Sequence, residues 1–199
     1  MARSPRYESA GAIHHLVTQG MGRAAIVMDD YDRRAYLGRF HREAASRDWY
    51  VHATSLLDTH HHAVVTTPEP DLGIGVGRVV GGHAAWFNAR HGRAGSLFSE
   101  RFWSRRAETH LVRASIYVLV NPVGAGLVAH PCQWRWSNYT DIRRNGCSPE
   151  IAAVTGGTTE FLEYVDSAVR RIHAVRADDA RSCWQVVGET VGRAEEGRG

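Results

Sequence analysis

The chain contains no lysine: all 24 of its basic residues are arginine. Ala, Gly and Arg are all abundant, so genome composition accounts for part of this bias. Cysteine is scarce as well. Cys132, Cys147 and Cys183 are scattered, odd in number and in no CxxC pair. That argues against a disulfide framework or a thiolate zinc site and makes the cytoplasm the expected address. Long apolar runs are missing: no stretch reaches the length needed to cross a bilayer, and no membrane partner is expected. The opening Met1-Ala-Arg-Ser-Pro-Arg6 has no apolar segment behind it, so a signal peptide is not expected either. Internal repeats and low-complexity tracts are also absent.

What is present fits an ordinary globular chain. With 199 residues, 43% apolar and 23% charged, one domain with a real core and an appended tail is expected. We place the domain at residues 1–145 and a helical extension with a frayed end at 146–199. The net charge is only +3, but it is unevenly spread. Arg78 to Arg113 holds seven arginines against Glu100 and Glu108, whereas nine acids face six arginines from Glu150 onward. A basic middle points to a polyanion partner, although a solvated arginine-rich surface explains the same counts.

Patterning gives the order of elements. Gly11 to Thr18 reads as a strand and Gly20 to Arg23 as a turn. Asp29 and Asp30 are placed to cap a helix whose Tyr36, Leu37, Phe40 and Ala44 recur at helical spacing. Trp49 to Leu57 and His60 to Thr66 read as strands joined at Asp58-Thr59. Asp71 then opens a helix running to about Arg90. This β-α-β-β-α order, with one more strand to come, is the split βαβ plan of an α+β, ferredoxin-like antiparallel sheet with helices on one face. Ser104 to Leu119 reads as a helix stopped by Asn121-Pro122, and Glu160 to Arg176 as an amphipathic helix. The tail from Gly188 to Gly199 is expected to fray.

The second helix carries Gly73, Gly75, Gly77, Gly81 and Gly82, each costing about 0.8–1 kcal/mol relative to alanine. Its apolar stripe is Leu72, Val76, Val79, His83, Trp86 and Phe87, so His83 is expected to be buried or to face a site. The other chemical feature is His60-His61-His62. Side chains alternate along a strand, so His60 and His62 share one face and can chelate one divalent cation. A metal-free histidine cluster fits the triplet alone equally well.

Several collinear motifs resemble the REP-associated tyrosine transposases, an insertion-sequence-200-type branch of the HUH endonucleases. They are Arg6-Tyr7 with Gly11-Ala-Ile-His-His-Leu-Val-Thr18, Asp29-Asp-Tyr-Asp-Arg33, and Leu57-Asp-Thr-His-His-His-Ala-Val-Val65 in place of the family's Met-Pro-Asn-His-x-His strand. They continue with Trp86-Phe-Asn-Ala-Arg-His-Gly-Arg-Ala-Gly-Ser-Leu-Phe98, Arg101-Phe102, Asn121-Pro-Val-Gly-Ala-Gly-Leu-Val128 and Trp136-Ser-Asn-Tyr139. The resemblance covers roughly residues 1–140, with a weaker echo at Phe161 to Tyr164. It implies that His60 and His62 hold Mg²⁺ or Mn²⁺ and that a tyrosine attacks a DNA phosphodiester. It also implies a single-stranded or hairpin DNA partner, a repetitive extragenic palindrome in this family, with Arg78, Arg90, Arg93 and Arg101 contacting its phosphates.

The pattern is broken at the nucleophile. In the resemblance that tyrosine lies on the second helix, five residues before the asparagine of the Phe-Asn pair, and counting back from Asn88 gives His83. No tyrosine occurs between Tyr50 and Tyr117. Three readings of His83 follow: decay to a non-cleaving hairpin-binding protein; a third metal ligand, because it is expected to face the same side as His60 and His62; and a substitute nucleophile, which needs a neutral, positioned imidazole. Tyr117, brought in by the fold, is the other residue that could act as nucleophile. Thr59, His61 and Ser99-Glu100 also depart from the family pattern. His52-Ala-Thr54 has the form of one half of a two-histidine phosphoesterase site, whose distant second half is absent. Trp103, Trp134 and Trp136 are expected in the core rather than stacked on bases.

Overall fold

In the computed structural model, residues 8–99, 101–176 and 183–196 are described. Arg6-Tyr7, the leader reading of residues 1–6 and Glu100 lie outside them. The elements are β1 (Ala12–Gln19), α1 (Asp30–Ser46), β2 (Tyr50–Leu56), β3 (His60–Thr67), α2 (Leu72–His91), β4 (Trp103–Arg106), α3 (Leu111–Gly124), α4 (Tyr139–Asn145), α5 (Pro149–Thr155), α6 (Thr158–Arg176) and α7 (Cys183–Glu196). The four strands lie in the order β2-β3-β1-β4, with β1 antiparallel to both β3 and β4. This is the expected α+β split βαβ sheet. The chain divides into two compact units, residues 1–51 with 56–108, and 52–55 with 109–199. The expected boundary at 145 falls inside the second unit.

Local chemistry explains the first unit. Asp29 caps α1, its carboxylate accepting from the Tyr31 and Asp32 amides at 2.9 Å each, a contact typically worth about 1 kcal/mol. Tyr36, Phe40 and Ala44 are the buried stripe of α1. On α2 the buried residues are Leu72, Gly75, Val76, Val79, His83 and Phe87. Gly75 is required there, because a Cβ would collide with the Trp49 ring. Gly92, at φ 60, ends the helix in the left-handed conformation that glycine adopts without penalty.

Two sequence readings need correction beyond Phe98. Trp103 to Arg106, of which Ser104 to Arg106 read as the start of a helix, is the missing fourth strand, paired with β1 through Leu16↔Ser104. Alternation over four residues is too short a signal to separate from a helical one. Helix α3 then begins at Leu111 and does not stop at Pro122 but runs to Gly124. The proline lies in the last turn, so its missing N–H removes one bond close to the end, and Ala125 still donates to the Asn121 carbonyl at 2.8 Å.

In the second unit, α3, α6 and α7 pack on one another. The tail expected to fray from Gly188 is largely helical: Val186, Val187 and Val191 of α7 are buried. Arg113 of α3 lies 4.3 Å from the Trp184 ring centroid and donates to the Trp184 carbonyl at 3.0 Å. Gly188 makes room for that guanidinium, since a Cβ there would overlap it. Residues 197–199 of the tail lie outside the described residues. The His52-Ala-Thr54 feature is structural: buried His52 is hydrogen bonded through Nδ1 to Ser148 Oγ at 2.8 Å, and that Oγ caps α5 by accepting from Ile151 N.

Burial holds several imidazoles neutral. It pushes the His52 pKa down from 6.5 to about 4 and also lowers those of His14 and His83. Each group therefore takes up a proton more readily in the unfolded chain than in the folded one. The contribution of His52 to stability is fully present above pH 6.5 and declines as pH falls from there toward about 4, and His14 and His83 act in the same direction. Melting followed by circular dichroism should show Tm dropping between about pH 7.5 and pH 5; a flat or rising Tm over that window would contradict this.

Candidate functional site

Register and alternation sort the histidines of β3 onto opposite faces of the sheet. The pairings are Gln19↔His60, Thr18↔His61 and Val17↔His62. His60 and His62 thus share a face with Gln19 and Val17, and His61 shares the other with Thr18.

His61 belongs to the face covered by α1. It is fully buried, with its ring 4.7 Å from that of Phe40 and 5.1 Å from that of Tyr36. The Tyr36 hydroxyl is hydrogen bonded to Thr18 Oγ1 at 2.7 Å and to His61 Nδ1 at 3.3 Å. Desolvation pushes the His61 pKa down to about 3. It is a neutral aromatic filler of the packed face.

His83 lies on this helical side too, and here the sequence reading fails. Its ring is 5.0 Å from that of Tyr36, and its Nε2 donates to the Ile26 carbonyl at 2.8 Å. Nδ1 is buried with no hydrogen-bond partner among the described residues, and desolvation lowers the pKa. The sheet therefore does not bring His83 together with His60 and His62. The helical stripe correctly placed it on the packed side of α2; the error lay in assuming that the packed side and the His60/His62 side are the same.

On the other face, a cavity of about 330 Å³ is lined by Val17, Gln19, Arg23, Thr59, His60 and His62. The rings of His60 and His62 are 4.9 Å apart. His60 Nδ1 is hydrogen bonded to Thr59 Oγ1 at 2.9 Å, and His62 Nδ1 to His15 Nε2 at 3.2 Å. With each Nδ1 held, Nε2 is the nitrogen through which either ring would bind a metal. Burial lowers the His62 pKa well below 6.5, keeping the neutral form that ligation requires. His15 was missed in the sequence: it stacks on His62 at 5.5 Å and meets Trp103 edge-on at 5.3 Å, contacts visible only once the strand register is known.

These residues fit a divalent ion as an open half-site. Among the described residues no group of three or more His, Cys, Asp or Glu side chains is arranged to hold a metal. Two imidazoles with the Gln19 carboxamide beside them would leave most of a divalent ion's coordination to water and other oxygen ligands.

The expected DNA-contacting arginines are dispersed. Arg90 pairs with Asp29 at 2.7 Å and with buried Asp32, and packs over Tyr31 at 5.0 Å. Asp32 also accepts from Met28 N at 2.7 Å and is hydrogen bonded to His91 Nε2 at 3.0 Å. Arg90 therefore clamps the end of α2 to the start of α1. Arg93 lies over Phe87 at 5.7 Å. Arg78 is exposed and 3.7 Å from Glu43, in a groove it shares with Arg39 and Arg42. Exposed Arg101 lines a separate cavity with Gln19, Ser99 and Phe102. None of the four lines the histidine cavity; Arg23, which no motif marked, does. Trp136 is buried as expected and Trp134 half-buried, but Trp103 is 49% exposed.

Arg90→Ala is expected to lower stability, because it leaves the buried Asp32 carboxylate with only Met28 N and His91 as partners. Urea denaturation tests this; a loss below about 0.5 kcal/mol would mean the clamp carries no weight.

No protein-family model and no curated protein matches the sequence. Among solved structures, a REP-associated tyrosine transposase bound to a REP hairpin aligns with a TM-score of 0.61 and 20% identity, over 75% of this chain and 90% of that one. A protein from Deinococcus radiodurans R1 assigned as a transposase aligns with a TM-score of 0.40 and 14% identity, over 52% and 85% of the two chains, too distantly to add weight. At such identities the likeness is one of architecture: this chain is built on the fold of a REP-associated tyrosine transposase.

Proposed function

We propose that this chain is a transposase-like protein that binds single-stranded or hairpin DNA, with His60 and His62 holding Mg²⁺ or Mn²⁺ against a phosphodiester. The observation that carries the reading is the pair itself: two imidazoles on one sheet face, 4.9 Å apart, each anchored through Nδ1, at one cavity. The shared fold supports it, since the matched transposase was solved on a hairpin. A divalent ion held there would polarise a phosphodiester and offset the charge that develops on attack. The chain's own part is to hold His62 through His15, to hold His60 through Thr59, and to present Gln19 and Arg23 to the same space.

Binding without cleavage is the second reading, since among the described residues lining the cavity none is a tyrosine. His83 does not decide between them. It sits on the helical side of the sheet, so its identity neither supplies nor removes a nucleophile beside the histidine pair.

Calorimetric titration with Mn²⁺ should show binding that the His60→Ala, His62→Ala double variant loses; unchanged affinity would refute the metal assignment. Labelled hairpin DNA and Mn²⁺, run on a denaturing gel, separate the two readings. A covalent adduct supports cleavage, with Tyr117→Phe testing the nucleophile, and retarded but intact DNA under native conditions supports binding alone. His83→Tyr should not create an adduct. If it does, α2 reaches the histidine pair in a way this account denies.

A further inference from the structure

Arg23 sits in a turn held tightly against the loop before β3. After β1 the chain passes through Met21-Gly-Arg23, with Gly22 at φ 59 and Arg23 itself at φ 62. That left-handed conformation costs a non-glycine residue about 1 kcal/mol. Gly20 N donates to the Thr59 carbonyl at 2.9 Å and Arg23 N to the Gly20 carbonyl at 3.0 Å. A Cβ on Gly20 would run into the Ala24 carbonyl. The outcome is an exposed arginine lining the His60/His62 cavity. Arg33, Arg47, Arg90 and Arg106 each pair with a carboxylate, whereas among the described residues none pairs with Arg23. Among the described residues the cavity lining has a guanidinium, a carboxamide, a hydroxyl and two imidazoles, and no acid. Such a lining suits a phosphate.

An aromatic surface lies on the same sheet face. Val17 is the register partner of both His62 and Trp103, so these three form a row across β3, β1 and β4. Strands lie about 4.8 Å apart, which sets Trp103 about 10 Å from His62 along the row. That is about the reach from a backbone phosphate to a neighbouring base. The Trp103 ring is half exposed, with its edge supported by His15.

We infer that Arg23 and Trp103 form one nucleotide-binding subsite, Arg23 holding the phosphodiester that enters the histidine cavity and Trp103 stacking on the adjacent base. The inference rests on the reading of this chain as a binder of single-stranded DNA. Fluorescence anisotropy over a range of salt tests it, using labelled oligothymidylate and an abasic strand of the same length. Arg23→Ala should flatten the log affinity against log salt slope by about 0.7, the value for one lost phosphate contact on a single strand, while Arg23→Lys retains it. Trp103→Ala should weaken binding to oligothymidylate roughly tenfold with the slope unchanged, and should leave the abasic strand unaffected. A wild-type slope in Arg23→Ala, or equal losses on both strands in Trp103→Ala, overturns the subsite while leaving DNA binding intact. A wild type that binds neither strand overturns the single-stranded-DNA reading on which the subsite rests, and the subsite with it.

Discussion

The antiparallel pairing of β3 with β1 determines which histidine has which role. It sets His61 opposite Thr18 on the face packed by α1, and His60 and His62 opposite Gln19 and Val17 on the other. A slip of one residue would exchange the faces, putting two imidazoles into the aromatic packing of Tyr36 and Phe40 and leaving one outside. That packing resists the exchange: His61 is fully buried, kept neutral by desolvation, and bonded to the Tyr36 hydroxyl. The core contact and the candidate metal site are thus two consequences of one register.

The same division explains why His83 is not part of the site. A residue on the inner stripe of α2 meets the helix-covered side of the sheet, where it contacts Tyr36, Phe87 and Phe98. The opposite face is supplied by β1, β3, β4 and the turn after β1. Side chains gather there by strand pairing rather than by helix docking. His15 supports His62 from the neighbouring strand, and the Gly20 turn carries Arg23 to the cavity.

Much of this was legible before any coordinates. Strand alternation alone put His60 and His62 on one face, and the Asp29 cap and the stripe of Tyr36 and Phe40 located α1 well. What stayed hidden depends on partners distant in sequence. Asp32 engages Arg90, 58 residues away, so a motif arginine that looked available for phosphate is a clamp between helices. His15 and His62 are 47 residues apart and meet only through the register. Arg23 belongs to no motif, and its role follows from a backbone turn that composition does not reveal. Strand β4 is short and polar, and the glycines Gly188 and Gly192 mask the apolar stripe of α7, whose Val186, Val187 and Val191 are buried.

The central claim is that His60 and His62, and not His83, form the metal-binding pair. Imidazole nitrogen NMR, recorded during titration with Zn²⁺ as a diamagnetic stand-in, tests it most directly, because ligation shifts the coordinating nitrogen itself. The account predicts large shifts at Nε2 of His60 and His62, with the nitrogens of His61 and His83 close to their metal-free positions. A ligation shift at His83, or none at His60 and His62, would contradict it.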